Sequence, residues 1–245
     1  MPARREAPAL ERRTLYEEVL IVLGLTVLYS VVLSIIDLLS VPLRGSSVAT
    51  ISQTVVLARH LASAVFALVP VWLVVHLLRR SGEGPGAIGF RPRIPGDDLA
   101  LGVALAVLVS AVGLGVYVLA FELGLNRLVI PVPPLGHWWT VPVLVVDAAQ
   151  NGFLEEVVVL GYLLHRLGQA GWSPRRALVL TSILRGSYHL YQGFGGFVGN
   201  FALGMLFGWI FQRTRRVWPL IVAHTVVDVL AGLGYILLRD RVAFI

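Results

Sequence analysis

Ionisable and amide side chains in the C-terminal half of the chain are spaced as groups that act together. Asp147, Asn151 and Glu155 lie four residues apart, as do Arg185 and His189, and His224 and Asp228. On a helix that spacing puts each set on one face. Glu156 points about 100° away from Glu155 and needs a partner of its own. Three chemistries are open to such groups. A carboxylate beside an imidazole can polarise water as a general base. Two histidines and a carboxylate (Glu155, His189, His224) can hold zinc with a position left for water. A row of ionisable groups inside a membrane can pass protons or ions. A purely structural ion-pair network is the plainer alternative, and Arg185 with Glu156 would fit it. Two histidines with neighbouring carboxylates exceed what neutralising one arginine requires.

The elements that carry these residues are set by composition. Of 245 residues, 57% are hydrophobic and 14% charged, and the mean hydropathy is +0.81. A soluble domain carries nearer a quarter charged residues, so the surplus apolar surface calls for lipid as solvent. Apolar runs of about 20 residues suffice to cross a hydrocarbon core. Runs at about 19–41, 52–78, 99–122, 142–165, 175–192, 195–212 and 217–238 predict an all-α, polytopic helical bundle of seven spans. The fifth and sixth runs are short and joined through Gly193, Gly195 and Gly196, which predicts a tight helical hairpin. Gly196, Asn200, Gly204 and Gly208 form a ladder of mostly glycines that lets neighbouring backbones approach closely. The segment 79–98, rich in Gly and Pro, reads as a loop or short amphipathic excursion. Trp138 and Trp139 read as an interfacial belt.

Charge orients the bundle. All 20 basic residues are arginine. Arg4, Arg5, Arg12, Arg13, Arg79, Arg80, Arg91, Arg93, Arg166, Arg175, Arg176, Arg213, Arg215 and Arg216 fall on one side; Arg44, Arg127, Arg239 and Arg241 fall on the other. The positive-inside rule then puts the N-terminus in the cytoplasm and the C-terminus outside, in a multi-pass protein of the cell membrane. The net charge of +6 serves orientation and implies no nucleic acid partner. With no Cys in the chain, disulfides, thiolate zinc sites and a cysteine nucleophile are excluded. Charged groups within spans are costly and default to function. Asp37, Arg59 and His60 can reach an interface and read as bland, as do His76, His137 and His165. Ser187 lies two residues from His189 and does not face it on a helix.

The segments FLEEVVVLGYLL (153–164), SILRGSYHLYQG (182–193) and VWPLIVAHTVVDVL (217–230) resemble the CPBP family. That family comprises the type II CAAX prenyl proteases and bacterial relatives linked to bacteriocin processing and self-immunity. Its pattern is EExxxR, then FxxxH, then HxxxN or HxxxD on successive spans. The resemblance covers about residues 141–232 and departs at two positions: Leu160 stands where the family has Arg, and Arg185 where it has Phe. Arg185 is therefore expected to reach Glu156 from the next span. The resemblance implies that Glu155 is the general base, His189 its partner on the water, and His224 with Asp228 the pair beside the oxyanion. Asp228 would mainly orient His224, Glu156 and Arg185 would support the structure, and Asn151 shares the face of Glu155.

The expectation is an intramembrane endopeptidase acting on a membrane-associated peptide or protein, in contact with membrane lipid. The family has been labelled both metalloprotease and glutamate protease; metal-free catalysis is expected here, with zinc as the rival. A catalytically silent scaffold or immunity protein and an ion-coupled transporter are the alternatives. The chain divides into a cytoplasmic tail (1–15), a three-span region (16–140) and a four-helix region carrying the site (141–240).

Overall fold

Among the described residues every regular element is helical, as the apolar runs predict. The structure is a computed structural model that describes residues 12–27, 30, 31, 53–91, 94–127, 129, 130 and 132–239. Arg4, Arg5, Asp37, Arg44, Arg93 and Arg241, with most of the first predicted span, lie outside those residues, and for Arg13 and Arg59 only the backbone is described. The helices are α1 (Arg12–Leu25), α2 (Gln53–Ala67), α3 (Val69–Arg80), α4 (Gly96–Glu122) and α5 (Thr140–Leu154). A π-helical stretch, Glu155–Tyr162, continues α5 into α6 (Leu163–Gln169). Then come α7 (Pro174–Ser187), α8 (Phe194–Thr214) and α9 (Trp218–Leu238).

Among the described residues, four stretches are long and apolar enough to cross a membrane: Ser63–Arg80, Gly96–Glu122, Phe194–Thr214 and Trp218–Leu238. The departures from the expected runs have local causes. The run at 52–78 is two helices meeting at Leu68, because Pro70 sits in the first turn of α3 and cannot continue the preceding ladder. The run at 142–165 is interrupted by the π turn. The run at 175–192 yields only the 14 residues of α7, about 21 Å of helix, followed by a short 3-10 turn at Leu190–Gln192.

Helix α9 is held between α4 and α5 by small residues. A Cβ added at Gly102 of α4 would meet Val222 at 2.6 Å, and one at Gly152 of α5 would meet Thr225 at 2.7 Å. The α7–α8 hairpin closes in the same way, with Gly204 so near Ser182 that a Cβ would lie 3.0 Å from its Cα. Gly193 links the pair with φ +94, against the backbone of Asn126 and Arg127. A residue with a side chain would be strained there on both counts. The 79–98 segment is more than a surface loop. Ile88 is fully buried, Phe90 packs on Trp218 with ring centroids 5.2 Å apart, and the Trp218 indole donates to the Arg91 carbonyl at 2.9 Å. Of the two tryptophans read as a belt, Trp138 is 84% exposed and Trp139 only 5%. Trp139 lies inside because its ring stacks on His137, with centroids 4.9 Å apart.

Candidate active site

The Glu155–Glu156 pair falls at the point where α5 turns into the π helix. A π turn is wider than an α turn and is found mostly at functional sites. Here both adjacent carboxylates meet one guanidinium, supplied by Arg185 near the end of α7. Arg185 Nη1 donates to Glu156 Oε1 at 2.7 Å, and its Nη2 lies 3.4 Å from Glu155 Oε2. The expected contact between Arg185 and Glu156 is therefore present. Both groups are almost wholly buried, Glu156 at 0% and Arg185 at 1% exposure. Leu160 meanwhile packs into the apolar core. The guanidinium also lies over the Phe207 ring of α8, 5.7 Å from its centroid.

α7 ends at Ser187, and Tyr188 and His189 follow in the turn beyond it. The termination is polar: His189 Nδ1 approaches the Arg185 carbonyl at 2.9 Å. A carbonyl only accepts, so Nδ1 carries the hydrogen and Nε2 is left to face the site. That Nε2 stands 3.9 Å from Glu155 Oε1. The other carboxylate oxygen of Glu155 accepts from the Tyr188 hydroxyl at 2.7 Å. The sequence reading missed Tyr188; its place beside His189 at the close of the FxxxH-like segment was the available signal. Ser187 turns away and donates to the Ile183 carbonyl at 2.7 Å.

α9 contributes the second imidazole. His224 Nδ1 lies 2.7 Å from Glu156 Oε1 and 3.2 Å from Arg185 Nη2. Since Glu156 can only accept, Nδ1 donates to it. His224 Nε2 faces Asp228 Oδ2 at 3.5 Å, and the Asn151 side chain lies close to Asp228. His189 and His224 meet at the site because α7 is short and delivers His189 from the turn beyond its end. Glu155, Glu156, Arg185, His189, His224 and Asp228 are thus gathered in one place, with Asn151 at its edge.

Asp147 is not part of it. Two turns before Glu155, it pairs with His60 of α2, Oδ2 to Nδ1 at 2.8 Å. His60, read as bland, is the partner that Asp147 requires inside an apolar bundle. Glu155, Glu156 and His224 are the described residues whose ligand atoms come within 4.8 Å of one another as a possible metal set. This differs from the zinc set read from sequence, with Glu156 in place of His189. The Arg185 guanidinium is already within 2.7–3.4 Å of all three. A dication added there would face a fixed positive charge at close range, so that trio as built does not fit zinc.

A helical membrane protein with carboxylates, imidazoles and a guanidinium gathered inside its bundle has the parts of a hydrolase. Residues 137–230 match the family model described as "Rce1-like: Type II CAAX prenyl endopeptidase Rce1-like". By that match the region is similar to the CAAX protease family, over nearly the same stretch as the motifs that resemble it. Comparison with curated proteins and with solved structures returns no match.

Proposed function

We propose that this protein is an intramembrane endopeptidase in which Glu155 and His189 activate water to hydrolyse a peptide bond of a membrane-associated substrate. The observation that carries this reading is the 3.9 Å gap between Glu155 Oε1 and His189 Nε2. It is too long for a direct hydrogen bond, yet a shared water about 2.8 Å from each atom fits between them. Tyr188 and Arg185 hold the opposite oxygen of Glu155, so the free oxygen is aimed at that water.

The steps follow from these positions. Glu155 takes a proton from water as the oxygen attacks the scissile carbonyl carbon. The tetrahedral oxyanion is stabilised by the Nε2–H of His224, which stands 3.5 Å from Asp228 and is held less closely than Nδ1–H is by Glu156. Glu155 then returns the proton to the departing amide nitrogen, and the C–N bond breaks. Glu156 and Arg185 hold the frame, and Asp228 orients His224. With the guanidinium beside Glu155, Glu156 and His224, we read the reaction as metal-free. Metal analysis of active purified protein should find less than one zinc per chain and activity that survives a chelator. Stoichiometric zinc removed together with activity would reverse this assignment.

The substrate is a peptide or protein reached from within or beside the cell membrane, with the N-terminus of the enzyme cytoplasmic and its C-terminus outside. Comparative proteomics of membrane-associated peptides in cells carrying the unmodified protein or Glu155→Gln tests the reading. Peptides that disappear and precursors that accumulate with Glu155→Gln are expected. Identical peptide profiles, with the cellular role intact, would sink the enzymatic interpretation.

A further inference from the structure

At the opposite end of α7 from the site, two arginines line an apolar groove, and a third reaches the turn that precedes the helix. The groove, about 420 Å³ and shallow, is lined by Trp172, Arg175, Arg176, Val179, Leu180 and Ile183. On the helix, Arg175, Val179 and Ile183 form one row, and Arg176 and Leu180 form the adjacent one. Side chains on a helix lean toward its N-terminus, so the two guanidiniums reach past the start of α7. Val179, Leu180 and Ile183 stay 40–43% exposed below them. The start of α7 adds its own positive end, with Ser173 as the cap, accepting from Arg176 N at 3.4 Å.

The third arginine comes from α1. Arg12 Nε donates to the Ala170 carbonyl at 2.7 Å, and its Nη2 lies 3.3 Å from where a Cβ on Gly171 would be. Beside it the Trp172 indole donates to the Tyr16 hydroxyl at 2.9 Å, which gives the corner the polar-tipped aromatics of a membrane interface. Among the described residues no carboxylate pairs with Arg12, Arg175 or Arg176. The nearby acids Glu17 and Glu18 line a different groove, with Leu73, Leu77 and Arg80.

The geometry points to a binding site for an anionic phospholipid, its phosphate held by Arg175 and Arg176 with Arg12 alongside and an acyl chain along Val179, Leu180 and Ile183. Guanidinium is suited to phosphate oxygens, and basic pockets at the cytoplasmic ends of membrane helices select anionic headgroups. A free phosphate would leave the apolar rows unused. A zwitterionic lipid would bring its own cation against the guanidiniums. The occupied site would fix the start of the helix whose other end carries Arg185 and delivers His189. The lipid assignment stands whether or not the protein is a protease.

The test is native mass spectrometry of the full chain, delipidated in neutral detergent and offered phosphatidylglycerol or phosphatidylcholine. The unmodified protein should retain the anionic lipid about tenfold better, and Arg175→Gln combined with Arg176→Gln should reduce that preference to about twofold or less. Excess inorganic phosphate should not displace the lipid. Arg213→Gln serves as the control, since Arg213 sits at the end of α8 with its guanidinium 5.2 Å from the Trp209 ring centroid, and it should leave the preference intact. If the double variant does not fold, each single substitution should show a partial loss. Equal retention of the two lipids by the unmodified protein would overturn the assignment, as would an Arg213→Gln loss as large as that of the double variant.

Discussion

The helix running from Thr140 to Gln169 bears two buried polar clusters made of nearly the same parts. In one, Arg185 lies between Glu155 and Glu156 with Tyr188, His189 and His224 around it. In the other, Arg166 lies between Glu18 and Glu83 with Tyr162, His165 and Gln169 around it. Each arginine also stands over an aromatic ring, Phe207 at 5.7 Å and Tyr162 at 5.3 Å. Each cluster leaves its arginine Nε and one glutamate oxygen without a hydrogen-bond partner, so the difference lies in how closely the imidazole meets its carboxylate. Arg166 donates to Glu83 at 3.1 Å, Gln169 at 2.7 Å, Ser81 at 2.9 Å and the Leu77 carbonyl at 3.4 Å. His165 bridges Glu83 and Arg215, and Gln169 hydrogen-bonds the second oxygen of Glu83. These contacts join α1, α3, the loop after it and α6 into one staple. Around Glu155 the imidazole stops 3.9 Å short, and Asp228 keeps a third of its side chain exposed. Buried charge by itself identifies neither cluster as a site. A pair of groups held just too far apart to satisfy each other does.

The largest expected effects would break the comparison if they fell on the wrong cluster. Glu155→Gln keeps shape and size while removing the base, so turnover should fall about 10³-fold, within the range for general-base removal. The thermal unfolding midpoint in detergent should stay close to that of the unmodified protein. Arg166→Leu should do the reverse. It leaves Glu18 buried with only Arg80 Nη2, at 3.8 Å, as its cation, so a loss of about 3 kcal/mol is expected, the low end for a broken buried pair, read as a lowered unfolding midpoint. Turnover per folded molecule should be nearly unchanged. A catalytic defect from Arg166→Leu without a stability defect would mean that the staple is part of the site.

How far each cluster was legible in the sequence follows from where its charges sit. The site was readable because Glu155, His189, His224 and Asp228 interrupt apolar runs at helical spacing, where no lipid-facing reason exists for them. The staple was not, because Arg166, Glu83 and His165 flank predicted spans, where charges ordinarily meet water. Arg166 was assigned to topology alone, yet it is 1% exposed. What makes it interior is the 79–98 segment folding back under the bundle, a tertiary fact that Gly and Pro content does not reveal. The π turn was equally hidden, since it shows no change in apolar periodicity over EEVVVLGY. Both glutamates sit at its start, within reach of one arginine. The shortness of α7 escaped for a related reason: residues 188–192 are apolar enough to read as helix, but His189 bonding to the Arg185 carbonyl ends it.

A smaller effect sharpens the division of labour between the two glutamates. Glu156→Ala leaves the Arg185 guanidinium without its shortest partner, and Arg185→Leu leaves Glu156 buried with only His224. Combined, the two changes remove both charges at once. The double variant should therefore lose less stability than the sum of the singles, with a coupling of about 1–3 kcal/mol for contacting groups in one network. The measurement is chemical or thermal unfolding of all four proteins in the same detergent. Strict additivity would count against the pair as the replacement for the arginine that Leu160 displaces.

Smallest of all should be the loss of one hydroxyl from each cluster. Tyr188 donates to Glu155 Oε2 at 2.7 Å while its ring packs on His189, centroids 4.7 Å apart. Tyr188→Phe keeps the ring contact and removes the donor. Arg185 Nη2 still reaches the same oxygen at 3.4 Å, so the carboxylate keeps a partner but can swing. A hydrogen bond to a charged group contributes about 1.5–3 kcal/mol; with that partial substitute, kcat should fall about tenfold and KM should hardly move. Tyr162→Phe is the matching change in the staple, where the hydroxyl is 3.4 Å from Glu18 Oε2 and no water need be aimed. Its kcat should match that of the unmodified protein. Equal defects in kcat from both changes would show that Tyr188 acts through general packing, and that the aim of Glu155 does not depend on its hydroxyl.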